Sequence, residues 1–329
     1  MKIMTRSQFF RHSSWGRVRR LGLIWCSLLL ALLIAACQQG ATTTPSTPTA
    51  QPTVVTTSTM ITDWVRQVAG DRLPVVGILQ PGSDPHLYEP VPQDLKTIET
   101  AALIFYNGYN LEPALIRLIE SAGEGVRRVP LGEKVPPLIA GKEPDPHVWG
   151  DVQRVRTMVG HIATALGDLQ PQDRSTFTQN AEAYQAQLQR LDAWIRAQIA
   201  TIPPTQRRLV TTHDAFQYYA QTYGLTVPGT LIGLSTEEQP SAQTAKNLAQ
   251  SIREQKIPTI FTETTLNPQL IRTIAQEAGV EVSPQELYSD SIGALGSPGD
   301  SYITMMVSNT RAITLGLGGQ VTEFTAAGL

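Results

Sequence analysis

Between Asp173 and Ile199 the chain has neither glycine nor proline, and Phe177, Tyr184, Leu188, Leu191, Ile195 and Ile199 recur there at steps of three, four and seven residues. That spacing lays an apolar stripe along one face of an α-helix, and at 1.5 Å per residue the helix is roughly 40 Å long. Pro203-Pro204 ends it. A helix of this length can cross from one lobe to another. The 329 residues, 41% of them apolar, are enough for two cores of ordinary size.

Short β-rich runs alternate with helical patterns on both sides of that stretch. Before it, Thr53–Met60, Pro74–Leu79, Ala101–Asn107 and Val126–Leu131 read as strands, with helices from Ile61 to Val68, near Pro92, from Glu112 to Ser121 and from Val152 to Leu166. After it, Arg208–Thr212, Thr226–Leu234, Thr259–Thr264 and Glu281–Leu287 read as strands. Helices near Ala215–Tyr223, Ala242–Gln255, Pro268–Ala278 and Ser301–Leu315 separate or follow them. Strands divided by helices of about ten residues predict βαβ units and parallel pairing. The expected fold class is therefore α/β: two lobes, each with a four-stranded, mainly parallel sheet flanked by helices, joined by one long backbone helix. The expected boundaries are 53–171 for the N-terminal lobe, 172–201 for the linking helix and 202–329 for the C-terminal lobe.

Residues 1–36 read as an export signal. Lys2, Arg6, Arg11, Arg17, Arg19 and Arg20 precede an unbroken apolar run from Leu21 to Ala36, which has signal length and is short for a membrane span. The run ends in Ile34-Ala35-Ala36-Cys37, which resembles a bacterial lipobox, with lipid on Cys37; cleavage near Ala36 or an uncleaved anchor are the alternatives. Residues 37–52 carry no charge and no large apolar side chain, the composition of a flexible tether. The other cysteine, Cys26, falls inside the signal. The mature chain then has no free thiol, which excludes disulfides, cysteine catalysis and thiolate metal sites and leaves imidazole and carboxylate as ligands. The signal also holds six of the 26 basic residues and no acidic one, leaving 20 Lys and Arg against 28 Asp and Glu, a net charge near −8. An acidic exported body argues against nucleic acid as a partner.

Five histidines occur in the chain. His86 and His147 each close an Asp-Pro-His tripeptide, Asp84-Pro85-His86 and Asp145-Pro146-His147. The proline fixes its own φ and keeps the aspartate extended, so each imidazole stands on a stiff turn. His213 ends the apolar run 209–212, and Asp290 follows the last predicted strand. Ligands in open α/β sheets bind beyond the carboxyl ends of strands, and three imidazoles with one carboxylate satisfy a tetrahedral dication. These four are the candidate metal ligands, against the blander reading of each as a hydrogen-bonded loop residue. Glu263, ending a strand, and Asp214, beside His213, are candidates to orient the imidazoles, as are Asp84 and Asp145, although aspartates so placed serve more often as caps. His161 reads as a helix-surface residue and His12 goes with the signal. Tyr88 and Trp149, two residues after their histidines, read as packing that shields the site from water.

Several ordered blocks resemble the metal-binding lipoproteins of ABC importers for zinc and manganese, the bacterial solute-binding protein family 9. They are Asp84-Pro85-His86-Leu87-Tyr88-Glu89-Pro90, Asn107-Gly108 with Leu111-Glu112, Asp145-Pro146-His147-Val148-Trp149, His213-Asp214-Ala215-Phe216, and Ser289-Asp290-Ser291-Ile292 with Gly299-Asp300-Ser301-Tyr302 and Met305-Met306. The likeness runs from about residue 53 to the C-terminus. It implies two small α/β lobes on one long helix, and a metal between them on His86, His147, His213 and Asp290. It further implies a monomer, lipid-anchored through Cys37 to the outer face of the cytoplasmic membrane, that serves an ABC permease and its ATPase. Manganese-selective members usually carry glutamate where His213 stands, so the resemblance favours Zn2+ over Mn2+. The histidine-rich loop of many zinc importers is missing from Ile139–Glu143, and Asp290 is shared with manganese-accepting members. Two rivals are a secreted metallohydrolase and a two-lobed binder of organic ligands or surface adhesin. The first lacks a His-Glu-x-x-His pattern; the second needs a pocket of drug-sized volume.

Overall fold

Valine and other β-favouring residues open the first sheet in this computed structural model, which describes residues 51–122 and 125–325. The expected signal, Cys37 and all but the last two residues of the tether lie outside the described residues. Strands β1 (Val54–Thr56), β2 (Val75–Gly77), β3 (Leu103–Tyr106) and β4 (Arg127–Pro130) form a parallel sheet in the order β2-β1-β3-β4. Val54 pairs with Val75 on one side and Leu103 on the other, and Leu103 pairs with Arg127. Each crossover is a helix: α1 (Thr59–Ala69), α2 (Pro92–Glu99) and α3 (Pro113–Ala122). Alternation along the strands divides the apolar side chains between two faces. Val54, Leu103 and Phe105 join the main core, whereas Val55 and Ile104 join a smaller cluster with Ile98, Leu115 and Ile119.

The chain then makes a short antiparallel hairpin, β5 (Ile139–Ala140) with β6 (Glu143–Pro144), which the sequence reading did not contain. It leads straight into the second Asp-Pro-His turn. Helix α4 (Val152–Leu169) starts on the Asp151 side chain, which accepts the Gln153 amide at 2.9 Å. The long helix α5 runs from Arg174 to Ala200, 27 residues, and all six positions of the predicted apolar stripe are buried. It packs on α4, α1 and the last helix α9 (Tyr302–Gly316), with α6 (Gln217–Tyr223), α7 (Ala242–Glu254) and α8 (Gln269–Ala278) between.

In the second half the four expected strands lie side by side in parallel but are scarcely regular. Only β7 (Thr259–Ile260) and β8 (Glu281–Val282) form a ladder. Single bridges join Arg208 to Thr226, His213 to Ile232 and Glu263 to Leu287, and the Phe261 amide donates to the Val210 carbonyl at 3.0 Å. Pro228, Pro258 and Pro284 fall in or beside these runs and have no amide proton to give a ladder. One apolar cluster nevertheless reaches through both halves, from Trp64 through Val155 and Leu188 to Tyr219, Phe261 and Met305. A second, around Val210, Leu248, Ile260 and Ile271, belongs to the C-terminal half alone.

Candidate metal centre

The two Asp-Pro-His tripeptides adopt the same turn. In each, the aspartate carboxylate accepts the backbone N–H of the histidine two residues on, Asp84 from His86 and Asp145 from His147, both at 2.9 Å. This is the Asx geometry that an aspartate held extended by the next proline favours. His86 follows the loop after β2, and His147 follows the hairpin. His213 ends the segment 208–213, fastened by Glu263: the Thr212 and His213 amides donate to its Oε1 at 2.7 and 2.9 Å. Asp290 lies just beyond the segment that bridges Leu287 to Glu263.

These loops bring the four candidates together. One donor atom each from His86, His147, His213 and Asp290 falls within 4.8 Å of all the others, and the residues are only 3, 0, 0 and 1% exposed. The Nε2 atoms of His86 and His147 are 3.4 Å apart. Asp290 Oδ2 stands 3.0 Å from His213 Nε2 and 3.8 Å from His86 Nε2, and Oδ1 stands 3.5 Å from His147 Nε2. Tetrahedral zinc with bonds of 2.0–2.1 Å spaces its ligand atoms roughly 3.3 Å apart, so these separations fit one ion. The 3.0 Å approach is off the line a hydrogen bond needs, and His213 Nε2 and both Asp290 oxygens remain buried without a hydrogen-bond partner. Buried polar groups are rarely left so; a cation between them satisfies all three.

The outward sides of two rings are held by carboxylates. His147 Nδ1 meets Asp145 Oδ1 at 2.8 Å, and His213 Nδ1 meets Glu263 Oε2 at 2.5 Å. Such a bond keeps the proton on Nδ1 and turns Nε2 inward as a donor to metal. Asp84 does not reach the His86 ring; its second oxygen accepts the Thr236 hydroxyl at 2.7 Å. Asp214, named with Glu263 as an orienting residue, accepts a hydrogen bond from the Gln217 side-chain Nε2 at 2.8 Å and makes none to the His213 ring. Of the two candidates, Glu263, 50 residues on, makes the contact to the His213 ring, and Asp214 does not, because it is already past the bridge and turned toward α6. Trp149 stacks edge-on to His147, with centroids 5.3 Å apart. Tyr88, expected to shield the site, gives its hydroxyl to Asp94 at the start of α2 instead. His161 is exposed on α4. Asn107, which the sequence reading gave no role, donates from its carboxamide to the Pro146 carbonyl at 3.0 Å and so braces the second turn from β3.

Burial and charge set the protonation of the cluster. Burial chiefly, with the neighbouring imidazoles, pushes His86 down to about 3 against the pull of Asp290. Burial opposes the charged form of His213 too, but Asp290 and Glu263 together outweigh it and hold that ring well above the ordinary histidine range. Burial would raise Asp290; the three imidazoles, His213 foremost, hold it below the usual carboxylate range. A nearby cavity of about 590 Å³ is lined by Asp145, Asp214, Ile139, Gln217 and Val227 among others, and by none of the four clustered residues. The site is ion-sized.

The chain is similar to known metal-binding proteins. Residues 54–316 match the family described as ZnuA, zinc-uptake complex component A, periplasmic. The zinc-binding protein TroA of Treponema pallidum is 36% identical over 275 residues, 81% of this chain and 89% of TroA. The manganese-binding lipoprotein MntA of Halalkalibacterium halodurans is 32% identical over 292 residues, 88% of this chain and 96% of MntA. The solved structure of periplasmic TroA superposes with a TM-score of 0.79 at 34% identity, covering 81% of this chain and 99% of TroA. Fe(III)-bound YtgA of Chlamydia trachomatis gives 0.77 at 30% identity, covering 83% and 100%. The match to the family spans well over half of the residues, and the chain belongs to the ZnuA family of metal-uptake binding components.

Proposed function

We propose that this protein captures one divalent transition-metal ion outside the cytoplasm, zinc in preference to manganese, and delivers it to an ABC permease and its ATPase. It is a metal-binding, substrate-binding component of an ABC importer for zinc or manganese, as its family and its relatives are. The observation that carries the ligand set is the buried cluster of His86, His147, His213 and Asp290, in which His213 Nε2 and both Asp290 oxygens are left unpartnered. Three nitrogens and a carboxylate suit zinc, whereas manganese prefers harder oxygen donors. A specific feature favours manganese as the second reading: Asp290 turns both oxygens toward the cluster, which permits a fifth ligand atom.

Capture proceeds without chemistry on a substrate. The ion takes the Nε2 lone pairs of His86 and His147 and displaces the proton of His213, whose Nδ1–H stays on Glu263. Asp290 supplies the negative charge that makes a buried dication tolerable. A hydrolase would need a free base beside the metal, but Glu263 has both oxygens committed to the Thr212 and His213 amides and the His213 ring. The lobes at 53–171 and 202–329 about the helix 172–201, and a lipid on Cys37 that keeps the protein at the outer face of the cytoplasmic membrane, belong to the same reading.

Protein purified without added metal and analysed for its elements should carry about one zinc per chain. In competition, equimolar zinc should displace manganese. Retained manganese would reverse the order of the two metals, and a protein that binds neither would end the capture reading.

A further inference from the structure

Asp290, unlike His147 and His213, has no residue outside the cluster that holds its side chain. His147 and His213 lean on carboxylates and the His86 amide is held by Asp84, but the Asp290 carboxylate makes no hydrogen bond. Its place is dictated by the residues on either side of it, and those are tied to the other half of the chain. On one side, the Trp149 indole donates to the Ser289 carbonyl at 2.9 Å. On the other, two hydroxyls form a closed set. The Ser291 Oγ accepts the Gly82 amide at 2.8 Å and lies 3.1 Å from Thr59 Oγ1; the Ile292 amide donates to Thr59 Oγ1 at 3.0 Å; and the Ser291 hydroxyl donates to the Ile292 carbonyl at 3.0 Å. One arrangement of protons satisfies every member: Thr59 O–H donates to Ser291.

Thr59 opens helix α1, Gly82 lies four residues before His86, and Ser291 follows Asp290 directly. The hydroxyl pair therefore fastens the loop bearing the only carboxylate of the cluster to the loop bearing its first imidazole. Both side chains are buried, Ser291 completely.

We infer that Thr59 and Ser291 are positioning residues that set how long the ion stays bound: they hold Asp290 against the three imidazoles, and release requires this joint to open. The inference rests on the capture reading and names which contact controls it. Loss of the joint leaves the four ligands in place and frees the carboxylate to withdraw. It raises the rate of ion loss with little change in the rate of capture.

The test is a chelator chase of zinc-loaded full-length protein, with zinc association followed separately by stopped flow. Ser291→Ala and Thr59→Val should release zinc about five- to tenfold faster, the equivalent of about one net hydrogen bond, at near wild-type association rates. Thr59→Ser, which keeps the hydroxyl, should match the wild type, and the metal-free melting temperatures of Ser291→Ala and Thr59→Ser should agree with it. Unchanged release in Ser291→Ala overturns the inference. So does release from Thr59→Ser as fast as from Thr59→Val, because keeping the hydroxyl would then not keep the ion bound. If Thr59→Val fails to fold, Ser291→Ala decides alone. Wild-type protein that holds no zinc overturns the capture reading itself, a result distinct from normal binding with unchanged release.

Discussion

A short-range rule governs the clearest residues of this site. Aspartate before proline is extended, and its carboxylate caps the amide two residues on, so each Asp-Pro-His triplet presents its histidine in one way wherever the chain places it. That much is legible in the sequence, because the cause lies within three residues. The partner of the His213 ring is not, since Glu263 reaches it only through the pairing of segments 208–213 and 259–263. The same residues set the proton balance of capture. With His213 held well above its ordinary range and His86 down at about 3, one ring is protonated at neutral pH and the other is not. A metal must displace the His213 proton, so affinity rises with pH, about tenfold per unit below the raised value. Titration calorimetry in buffers of different ionisation enthalpy should find about one proton released per zinc at pH 7, and no release would place that proton elsewhere.

Among the elements, helices were easier to read than strands. The stripe from Phe177 to Ile199 is a 3.6-residue repeat uninterrupted by glycine or proline, and α5 runs from Arg174 to Ala200 with the whole stripe buried. The strands of the second half are apolar runs broken by prolines, so their order is parallel but their ladder shrinks to single bridges. The hairpin β5–β6 is too short to show as a hydrophobic period; its one signal is Gly141, at φ 64 in the two-residue turn. Since α5 lies along the core and contributes no member of the cluster, stability and binding should separate there. Leu188→Ala should cost about 2–5 kcal/mol, measured by urea unfolding of the metal-free protein, and leave zinc affinity within about threefold of the wild type. A matching loss of affinity would show the helix to act on the site directly.

At the scale of the described body, one apolar cluster joins the two halves along α5, and hydrogen bonds such as Tyr302 hydroxyl to Trp149 carbonyl at 2.6 Å and Tyr302 amide to Asp63 at 3.0 Å stitch them next to the site. A wide hinge would have to tear this core, which is packed like any protein interior. Metal release is therefore expected from local movement of the ligand loops. Small-angle scattering of metal-free and zinc-loaded protein should give superimposable curves, and a contraction of the size seen in hinge closure would contradict this. The central claim, that four distant residues share one ion, is tested most directly by X-ray absorption at the zinc edge of protein loaded with one equivalent. The account predicts a shell of nitrogen and oxygen near 2.0–2.1 Å with the multiple scattering of three imidazoles. Fewer than three imidazoles, or a sulfur in the shell, would contradict it.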